Sequence, residues 1–432
     1  MRILHVVHQY PPDDVGGTEL YTQTLADWQA AQGHHTAVFT PSPQPPTDPA
    51  LNQAHENGVQ VYRLKLGPQS RTRVFWRTFG QSQVMAGFTA VLDQEQPDLI
   101  HIQHLMGLPA GLVDVIIRAG IPYVVTLHDY WYLCANAQLL TNYDQTICEG
   151  PDWWLNCARC ALARAGHPQA VAAVPALAPL LALRQQKLQR VLKQARAIIT
   201  PSQFAARLHE GNGRSPQKIH VVPHGIVLPP QLPGRPNTPN TFRIAYIGGL
   251  SWQKGVHVAL EAFARLPASA EFWLAGDLEA DPAYSAELQA LATPGVSFLG
   301  KLDREAIWDL LAGVDVVVVP SLWYESFVFV ISEAFAMGVP VIASDLGVLA
   351  DRVRHDVDGL LIPAGDVNAW QQALARLQQD SVLRERLRQG IRPVRSFSDH
   401  AAEIQSIYQQ IAPAIPLTGS RNQPNPYPAI TH

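Results

Sequence analysis

Residues 315–347 read DVVVVPSLWYESFVFVISEAFAMGVPVIASDLG, and this stretch decides the fold class. Its first apolar run predicts a strand that is buried on both faces and ends at Pro320 and Ser321. A loop carrying Glu325 comes next, a helix begins near Val328, and the run VPVIAS predicts a second strand. A strand, a loop, a helix and a strand in this order are typical of parallel α/β layers.

Two carboxylates stand eight residues apart within this stretch. Glu325 lies just before the predicted helix, and Glu333 lies near its second turn. The free backbone N–H groups at the start of the helix could hold a phosphate group, and Glu333 could reach a sugar hydroxyl on the same ligand. The spacing alone favours a simpler interpretation, which is a loop glutamate followed by an ordinary glutamate on a helix surface.

Short apolar strands alternate with amphipathic helices along the whole chain of 432 residues. In the first half, strands are predicted at Ile3–His8, Thr36–Thr40, Val59–Leu64, Leu99–His104, Tyr123–His128 and Ala197–Thr200. In the second half, they are predicted at Lys218–Val222, Phe242–Ile247, Phe272–Ala275, Val296–Leu299, Val314–Val319, Val341–Ala343 and Leu360–Ile362. This pattern predicts two doubly wound α/β units that face each other. Ligands of such sheets bind at the carboxyl ends of the strands, here in the cleft between the halves.

The region around 201–240 is the part of the chain that most resembles a linker, and it contains the proline-rich stretch 227–240, VLPPQLPGRPNTPN. On this basis the chain divides into four segments: an N-terminal domain 1–200, a C-terminal domain 201–395, a helix 396–412 that returns to the N-terminal domain, and a disordered tail 413–432.

Composition excludes several classes of protein. With 32 basic and 36 acidic residues the formal net charge is -4, which argues against a dedicated nucleic-acid binder. No apolar run approaches the roughly 18–20 residues that span a bilayer, and the start MRILHVVHQYPP lacks the features of a signal peptide. We therefore expect a cytoplasmic protein. Peripheral contact with the inner face of a membrane stays open, because a basic and aromatic patch could dock there or be a solvated helix face. The patch consists of Arg63, Lys65, Arg71, Arg73, Phe75, Trp76, Arg77 and Phe79.

All four cysteines lie within 27 residues, at Cys134, Cys148, Cys157 and Cys160. Four cysteines in a chain of this length exclude a disulfide scaffold. Their clustering, which ends in C-x2-C, favours a tetrahedral structural zinc site in an insertion over 134–160. Separate buried thiols, a disulfide that a reducing cytoplasm would disfavour, and an iron–sulfur cluster remain as alternatives.

The stretch 315–347 and its surroundings resemble the retaining glycosyltransferases of family 4, which have the GT-B fold of two Rossmann-like domains facing across a cleft. The central match is PSLWYESFVFVISEAFAMGVPVIAS. Further segments that resemble the family are 8–40, 246–263, 296–321 and 355–370, so that the resemblance covers roughly residues 1–390. The C-terminal half carries the most specific motifs.

The resemblance implies a site for a nucleotide-sugar donor. Lys254 would contact the diphosphate, and the main chain at Phe327–Val328 would cap the diphosphate or the sugar. Glu325 would hold the sugar hydroxyls, Glu333 would bind the ribose, and the main chain near Gly300 would contact the base. A lysine and a helix N-terminus can stabilise the departing diphosphate without a metal, so no catalytic cofactor is expected.

The first half is expected to complete this site. Gly16 and Gly17 would let the first loop approach the phosphates or the acceptor closely. His128, at a strand end in TLHDYW, matches a histidine that faces the donor sugar, although a histidine there is often only a hydrogen-bonded structural residue. The resemblance thus makes His128, Lys254 and Glu325 the catalytic candidates.

The implied reaction is the transfer of a hexosyl unit from a nucleoside-diphosphate sugar to a hydroxyl of a saccharide or lipid-linked acceptor. Synthesis of a surface polysaccharide or glycolipid is the expected setting. One departure from the family pattern is Gly249, where an arginine is usual; Arg243, Arg352 or a residue of the first domain could replace that cation. The alternatives are a catalytically idle scaffold protein of the same fold and a sugar-nucleotide epimerase or sugar phosphorylase.

Overall fold

Two β-sheets form the frame of the molecule. The computed structural model describes residues 1–13, 16–212, 216–235, 241–267 and 269–412. The predicted tail 413–432 lies outside these ranges, as do the last five residues of the proline-rich stretch.

The first sheet has eight strands in the order β3-β4-β2-β1-β5-β6-β7-β8. They are β1 (Arg2–Val6), β2 (His35–Ser42), β3 (Leu51–Glu56), β4 (Val59–Lys65), β5 (Leu99–Ile102), β6 (Tyr123–Thr126), β7 (Ala197–Thr200) and β8 (Ile219–Val221). All pairings are parallel except that of β3 with β4. The inner strands β1, β5, β6 and β7 are almost fully buried, as a sheet covered on both faces requires.

The second sheet has six strands, all parallel, in the order β11-β10-β9-β12-β13-β14. They are β9 (Phe242–Ile247), β10 (Ala270–Ala275), β11 (Val296–Gly300), β12 (Val316–Val319), β13 (Val341–Ser344) and β14 (Gly359–Ile362). The chain order reverses beside β1 in the first sheet and beside β9 in the second. Both reversals create a crevice at the carboxyl ends of the strands, which is where such sheets bind ligands.

Helices cover both faces of each sheet. Those of the first half are α1 (Gly17–Ala31), α2 (Arg71–Arg77), α3 (Ser82–Glu95), α4 (Leu112–Arg118), α5 (Leu155–Arg164), α6 (Val174–Gln194) and α7 (Gln203–Gly211). Those of the second half are α8 (Val256–Phe263), α9 (Pro282–Leu291), α10 (Arg304–Ala312), α11 (Phe329–Ala336), α12 (Val348–Arg352), α13 (Val367–Gln379), α14 (Ser381–Gly390) and α15 (Phe397–Ile411). The predicted fold class of two doubly wound units is confirmed. None of the helices in the described ranges combines the length and apolar character that crossing a membrane requires.

The division between the halves lies later than residue 200. The predicted strand at Lys218–Val222 was assigned to the second half, but β8 pairs with β7 and closes the first sheet. The first unit therefore extends through Val221, and the chain enters the second sheet only at Phe242. The sequence analysis placed the division at the start of the linker-like region 201–240, because composition shows where a linker lies but not which sheet a short strand joins.

The last helix returns to the first unit. On α15, His400 bonds the Tyr21 hydroxyl at 2.8 Å, and Tyr408 reaches His101 on β5. The chain passes between the units twice, once after β8 and once before α15. These two segments touch, because a β-bridge joins Ile226 to Ser396. These contacts hold the two sheets on either side of one cleft.

The basic and aromatic patch of the first unit is not one exposed surface. Arg63 is buried and pairs with Glu56, and Arg77 is buried as well. Trp76, in contrast, is half exposed on α2. The exposed surface that could contact a membrane is therefore smaller than the sequence suggests. Membrane contact stays a prediction.

Candidate functional site

Lys254 reaches the cleft through a close approach between two loops. It ends a 3-10 turn, Trp252–Lys254, that follows β9, and Gly255 behind it has a φ of +68°. A Cβ atom at Gly255 would lie 2.0 Å from the carbonyl oxygen of Pro320 at the end of β12. Only glycine fits there, so the glycine sets the distance between the loop of Lys254 and the loop of Glu325.

Lys254 and Glu325 form an ion pair across this contact. The ammonium group lies 2.9 and 3.0 Å from the two carboxylate oxygens. The Ser321 hydroxyl donates to the same carboxylate at 2.6 Å, and the Trp323 ring lies 5.3 Å from the ammonium nitrogen. Glu325 is only 5% exposed, so the pair lies in a poorly solvated place where the attraction between its charges is stronger than in water.

The N-terminus of α11 follows this pair directly. Val328 is the residue before the helix, and no side chain caps the backbone N–H groups there. The Arg352 guanidinium lies beside it, 3.8 Å from the centre of the Phe327 ring, with hydrogen bonds to the Val328 carbonyl and the Ser332 hydroxyl. Burial lowers the pKa of Arg352 to about 9. Among the described residues no carboxylate forms an ion pair with it.

Two arginines could replace the cation that Gly249 lacks, and the structure separates them. Arg243 lies at the start of β9, away from the carboxyl ends, and its side chain pairs with Glu271. Arg352 lies at the α11 N-terminus, where the phosphate group is expected. The position of Arg352 is therefore compatible with the role, whereas that of Arg243 is not.

Glu333 lies one turn into α11 and is 4% exposed. Its carboxylate pairs with Arg304, the first residue of α10, at 2.5 Å. Gly300 ends β11 on the same side, with a φ of +69°. The sequence analysis did not single out Arg304, because its contact with Glu333 joins residues that are 29 positions apart.

His128 faces the cleft from the end of β6 and belongs to a buried hydrogen-bond network. Its Nε2 lies 2.8 Å from the amide oxygen of Gln103, which can only accept, so Nε2 carries the proton. The Gln103 amide nitrogen in turn donates to the Nδ1 atoms of His5 and His101. This arrangement leaves the Nδ1 of a neutral His128 as a hydrogen-bond acceptor.

Burial keeps these imidazoles uncharged. Desolvation is the largest cause that lowers the pKa of His128 to about 3, and the neighbouring His104 and His400 lower it further. Desolvation also lowers the pKa of His5 to about 4, although the bond to Gln29 opposes the shift. A neutral imidazole is a hydrogen-bonding group rather than a cation at physiological pH.

His224 links the two halves of the site. Its ring stacks on His128 at 5.8 Å and lies 4.8 Å from the Phe327 ring. The sequence analysis missed His224, although a histidine between Pro223 and Gly225 directly after a strand was an available signal. A second link is the Tyr130 hydroxyl, which donates to the main-chain carbonyl of Glu325 at 2.7 Å.

The first loop approaches the same edge of the first sheet. Gly17 begins α1, and Gly16 precedes it with extended backbone. Glu19, on the first turn of α1, lies 3.3 Å from the buried His8. A Cβ atom at Gly16 would lie 2.5 Å from a carboxylate oxygen of Glu19, which is the end of a flexible side chain and can move away.

The expected site residues form connected groups. Lys254 and Glu325 touch, and His128 reaches Phe327 through His224. Glu333 is joined to Arg304 instead of to another expected site residue.

The four cysteines lie near one another, and Cys134 packs beside Tyr130. They line one small cavity with Asn136, Leu140, Thr141 and Asn156. Burial is the largest cause that raises the pKa of the Cys157 thiol to about 12 and that of the Cys160 thiol to about 11. As the thiols stand, no group of three or more His, Cys, Asp or Glu side chains within the described ranges is placed to hold a metal ion.

Both halves of the chain match family models. Residues 241–380 match the model of glycosyl transferases group 1, and residues 15–228 match that of glycosyltransferase family 4. The chain is also similar to a D-inositol 3-phosphate glycosyltransferase of Mycobacterium sp. strain JLS. The two are 31% identical over 379 residues, which cover 84% of this chain and 78% of that protein.

Solved structures show the same fold. A sucrose-phosphate synthase from Thermosynechococcus elongatus superposes with a TM-score of 0.70 at 23% identity, covering 94% of this chain and 98% of the other. An Anabaena protein, HepE, solved in complex with UDP and glucose, superposes with a TM-score of 0.64 at 18% identity, covering 95% and 99%. At these low sequence identities the structural similarity shows the fold alone, and that fold is GT-B.

Proposed function

This chain belongs to the glycosyltransferases of family 4 and group 1, and on that premise we propose the reaction that it catalyses. A hexosyl unit passes from a nucleoside-diphosphate sugar to a hydroxyl of a saccharide or lipid-linked acceptor, with retention of the anomeric configuration. The bond between the anomeric carbon and the diphosphate oxygen breaks, and the acceptor oxygen takes its place on the same face. The acceptor proton passes to the departing phosphate oxygen.

The observation that carries this proposal is the Lys254–Glu325 pair beside the N-terminus of α11. In the proposed complex the ammonium group and the free N–H groups of α11 stabilise the charge that develops on the diphosphate. Glu325, held by Lys254 and Ser321, accepts hydrogen bonds from hydroxyls of the donor sugar. Arg352 supplies the second positive charge beside the helix N-terminus.

The remaining roles follow from position. Glu333 binds the ribose once its contact with Arg304 opens or is shared, and the main chain near Gly300 faces the base. His128 accepts a hydrogen bond at Nδ1 from a sugar hydroxyl. The UDP held by the Anabaena neighbour supports a nucleoside diphosphate as the ligand class.

Catalysis in this proposal needs no metal, because Lys254, Arg352 and the helix N-terminus supply the positive charge. Closure of the two units around Glu325 would exclude water and prevent competing hydrolysis. Synthesis of a surface polysaccharide or glycolipid remains the proposed setting.

The test is thermal-shift binding of the purified protein to UDP-, GDP-, ADP- and dTDP-sugars. A ligand that binds only the folded state raises its melting temperature by mass action. We expect a shift with one nucleotide series, its loss in Lys254→Ala and its retention in Lys193→Ala, which removes an exposed lysine on α6. A positive series then enters a transfer assay in which nuclear magnetic resonance reads the anomeric configuration of the product.

Two results would overturn the proposal. Absence of any shift from a folded sample would make the missing arginine at Gly249 decisive and favour an idle scaffold. Equal shifts in the wild type and Lys254→Ala would place the nucleotide elsewhere on the protein.

A further inference from the structure

The function proposed above leaves the cysteine segment, residues 134–160, without a role. It follows β6 and ends within α5, and all four cysteines line one cavity of about 20 Å³. Cys134 follows the turn that begins at Tyr130, and Cys148 follows an isolated β-bridge. Cys157 and Cys160 lie one turn apart on α5.

We propose that Cys134, Cys148, Cys157 and Cys160 form a structural zinc site that holds this segment in place. The inference is independent of glycosyl transfer, and the two proposals can fail separately. As the ion binds, the four S–H bonds ionise, four Zn–S bonds form and the protons pass to water. No oxidant or reductant takes part.

The size of the cavity suits one ion. A void needs about 10–15 Å³ to admit a single water molecule, so the cavity here exceeds that threshold but not by much. Cys157 and Cys160 stand at i and i+3, which places both on one face of α5. Loading requires the thiols to turn toward the cavity centre, because in their present orientation they do not form a coordinating group.

Hydrogen-bond donors already point at the sulfur atoms. The Asn136 amide lies 2.9 Å from the Cys160 sulfur, and the Asn142 main-chain N–H lies 3.2 Å from the same atom. The Asn156 amide reaches the Cys148 sulfur at 3.8 Å. Donors of this kind orient and stabilise thiolate ligands, and such outer contacts are typical of metal sites.

The charge around the segment also suits a zinc centre. A zinc ion with four thiolates carries two net negative charges. Arg184, only 3% exposed, acts electrostatically on Cys134 and Cys157, and Arg164 acts on Cys134 and Cys160. Within the described ranges neither arginine forms an ion pair with a carboxylate, although Asp129 also acts electrostatically on Arg184; they donate to the main-chain carbonyls of Trp131 and Asn136. A negative zinc–thiolate centre beside the buried Arg184 and the half-buried Arg164 would stabilise both charges.

The backbone of the segment needs an additional constraint. Of the eight non-glycine residues with left-handed backbone in the described chain, five lie here: Ala137, Leu139, Gln145, Trp153 and Trp154. Each such conformation costs free energy and persists only where its surroundings fix it. Apart from α5 and one bridge, the segment has little regular structure, and Trp153 is 82% exposed. A bound ion would supply the constraint that packing does not.

The first experiment is elemental analysis of the full-length protein, purified in reducing buffer without added metal. We expect one zinc per chain. Cys157→Ser and Cys160→Ser should reduce the zinc content to background, whereas Trp153→Asn, an exposed change in the same segment that tolerates left-handed backbone, should keep it.

A second measurement uses only the wild-type protein, so its result does not depend on whether the cysteine variants fold. Wild-type protein, stripped by a chelator, is titrated with Co²⁺ and should develop thiolate-to-cobalt charge-transfer absorption that added Zn²⁺ abolishes. Four free thiols without zinc, a disulfide, or bound iron would each overturn the proposal. Loss of zinc with nucleotide binding intact would leave the proposed function standing.

Discussion

The two faces of the cleft are built from different chemistry. On the face of the second sheet, Lys254 and Glu325 meet as an ion pair at the carboxyl end of the strands. On the face of the first sheet, Asp129 pairs with His104 and Glu19 pairs with His8, but the group around His128 is uncharged, and Gln103 connects His128 and His101 by hydrogen bonds. One face therefore presents a lysine–glutamate ion pair, and the other presents neutral donors and acceptors around His128.

This difference shows what each face is suited to bind. A diphosphate carries charge that grows as it departs, and a cation already held in place can stabilise that charge without reorganising. Sugar hydroxyls are neutral and need donors and acceptors at fixed positions, which an imidazole supplies only when it is uncharged. Pairing Lys254 with Glu325 also avoids an uncompensated buried charge before the ligand arrives.

The largest expected effect comes from the backbone that supports the charged face. Gly255→Ala places a Cβ atom 2.0 Å from the Pro320 carbonyl, at a left-handed residue. We expect a loss of at least about 4 kcal/mol in the free energy of unfolding, which is large for one substitution. Urea unfolding of both proteins measures it.

Gly249→Ala is the matched control, because a Cβ atom there meets nothing within 4 Å. It should leave the free energy of unfolding nearly unchanged. Equal stability of the two variants would show that the approach of the two loops does not depend on glycine.

Most of the fold could be predicted from the sequence, because continuous apolar runs such as the valines of β12 identify buried parallel strands. The strand β3 was missed, since LNQAHE is polar and pairs antiparallel at an edge, where water covers one side. Helix α6 begins at Val174, within a stretch that is rich in alanine and proline. Pro175 is tolerated because the first turn of a helix needs no N–H partner.

The candidate site was predictable only in part. Motifs located Lys254, Glu325 and Glu333, because each follows a strand at a characteristic spacing. The pairing of Glu333 with Arg304 depends on how two loops fold together, and no local pattern encodes it. The position of His224 directly after a strand was a local signal, but its stacking on His128 joins residues that are far apart in the chain and could not be predicted.

The second largest effect tests the charge itself. Lys254→Ala should lower kcat/KM for the nucleotide-sugar about 10²–10³-fold, the range seen when one preorganised donor to a developing anion is lost. Initial rates with the donor that the binding panel selects would measure it, with Lys193→Ala as the control. An unchanged kcat/KM would mean that the charged face is not the face that stabilises the leaving group.

The neutral face makes stability depend on pH. The pKa values of His5 and His400 are lowered to about 4 in the folded protein, so below pH 6.5 the unfolded chain binds more protons than the folded one. The free energy of unfolding should therefore fall between pH 6.5 and pH 4, by about 1.4 kcal/mol per pH unit for each such histidine. Urea unfolding at pH 7.5 and pH 5.5 measures the loss.

His5→Gln isolates the contribution of one histidine in that measurement. Glutamine can keep a hydrogen bond in the network but takes up no proton, so the variant should lose less stability than the wild type between the two pH values. Identical losses of stability in the wild type and in His5→Gln would show that burial does not keep His5 uncharged in the folded protein. The contrast between the two faces would then lose one of its supports.

The smallest effect distinguishes a hydrogen-bonding His128 from a charged or catalytic one. Removing one neutral hydrogen bond costs about 0.5–1.5 kcal/mol, so His128→Asn should lower kcat/KM only about two- to tenfold. Asparagine keeps a polar group near Gln103, and Gln103→Leu, which removes the group that orients the ring, should act in the same direction. If His128 only accepts a hydrogen bond, the variant lowers activity without moving the pH profile of kcat/KM. A loss of 10³-fold or more, accompanied by a changed pH profile, would instead make His128 an acid or base, and the first sheet would no longer be the neutral face of the cleft.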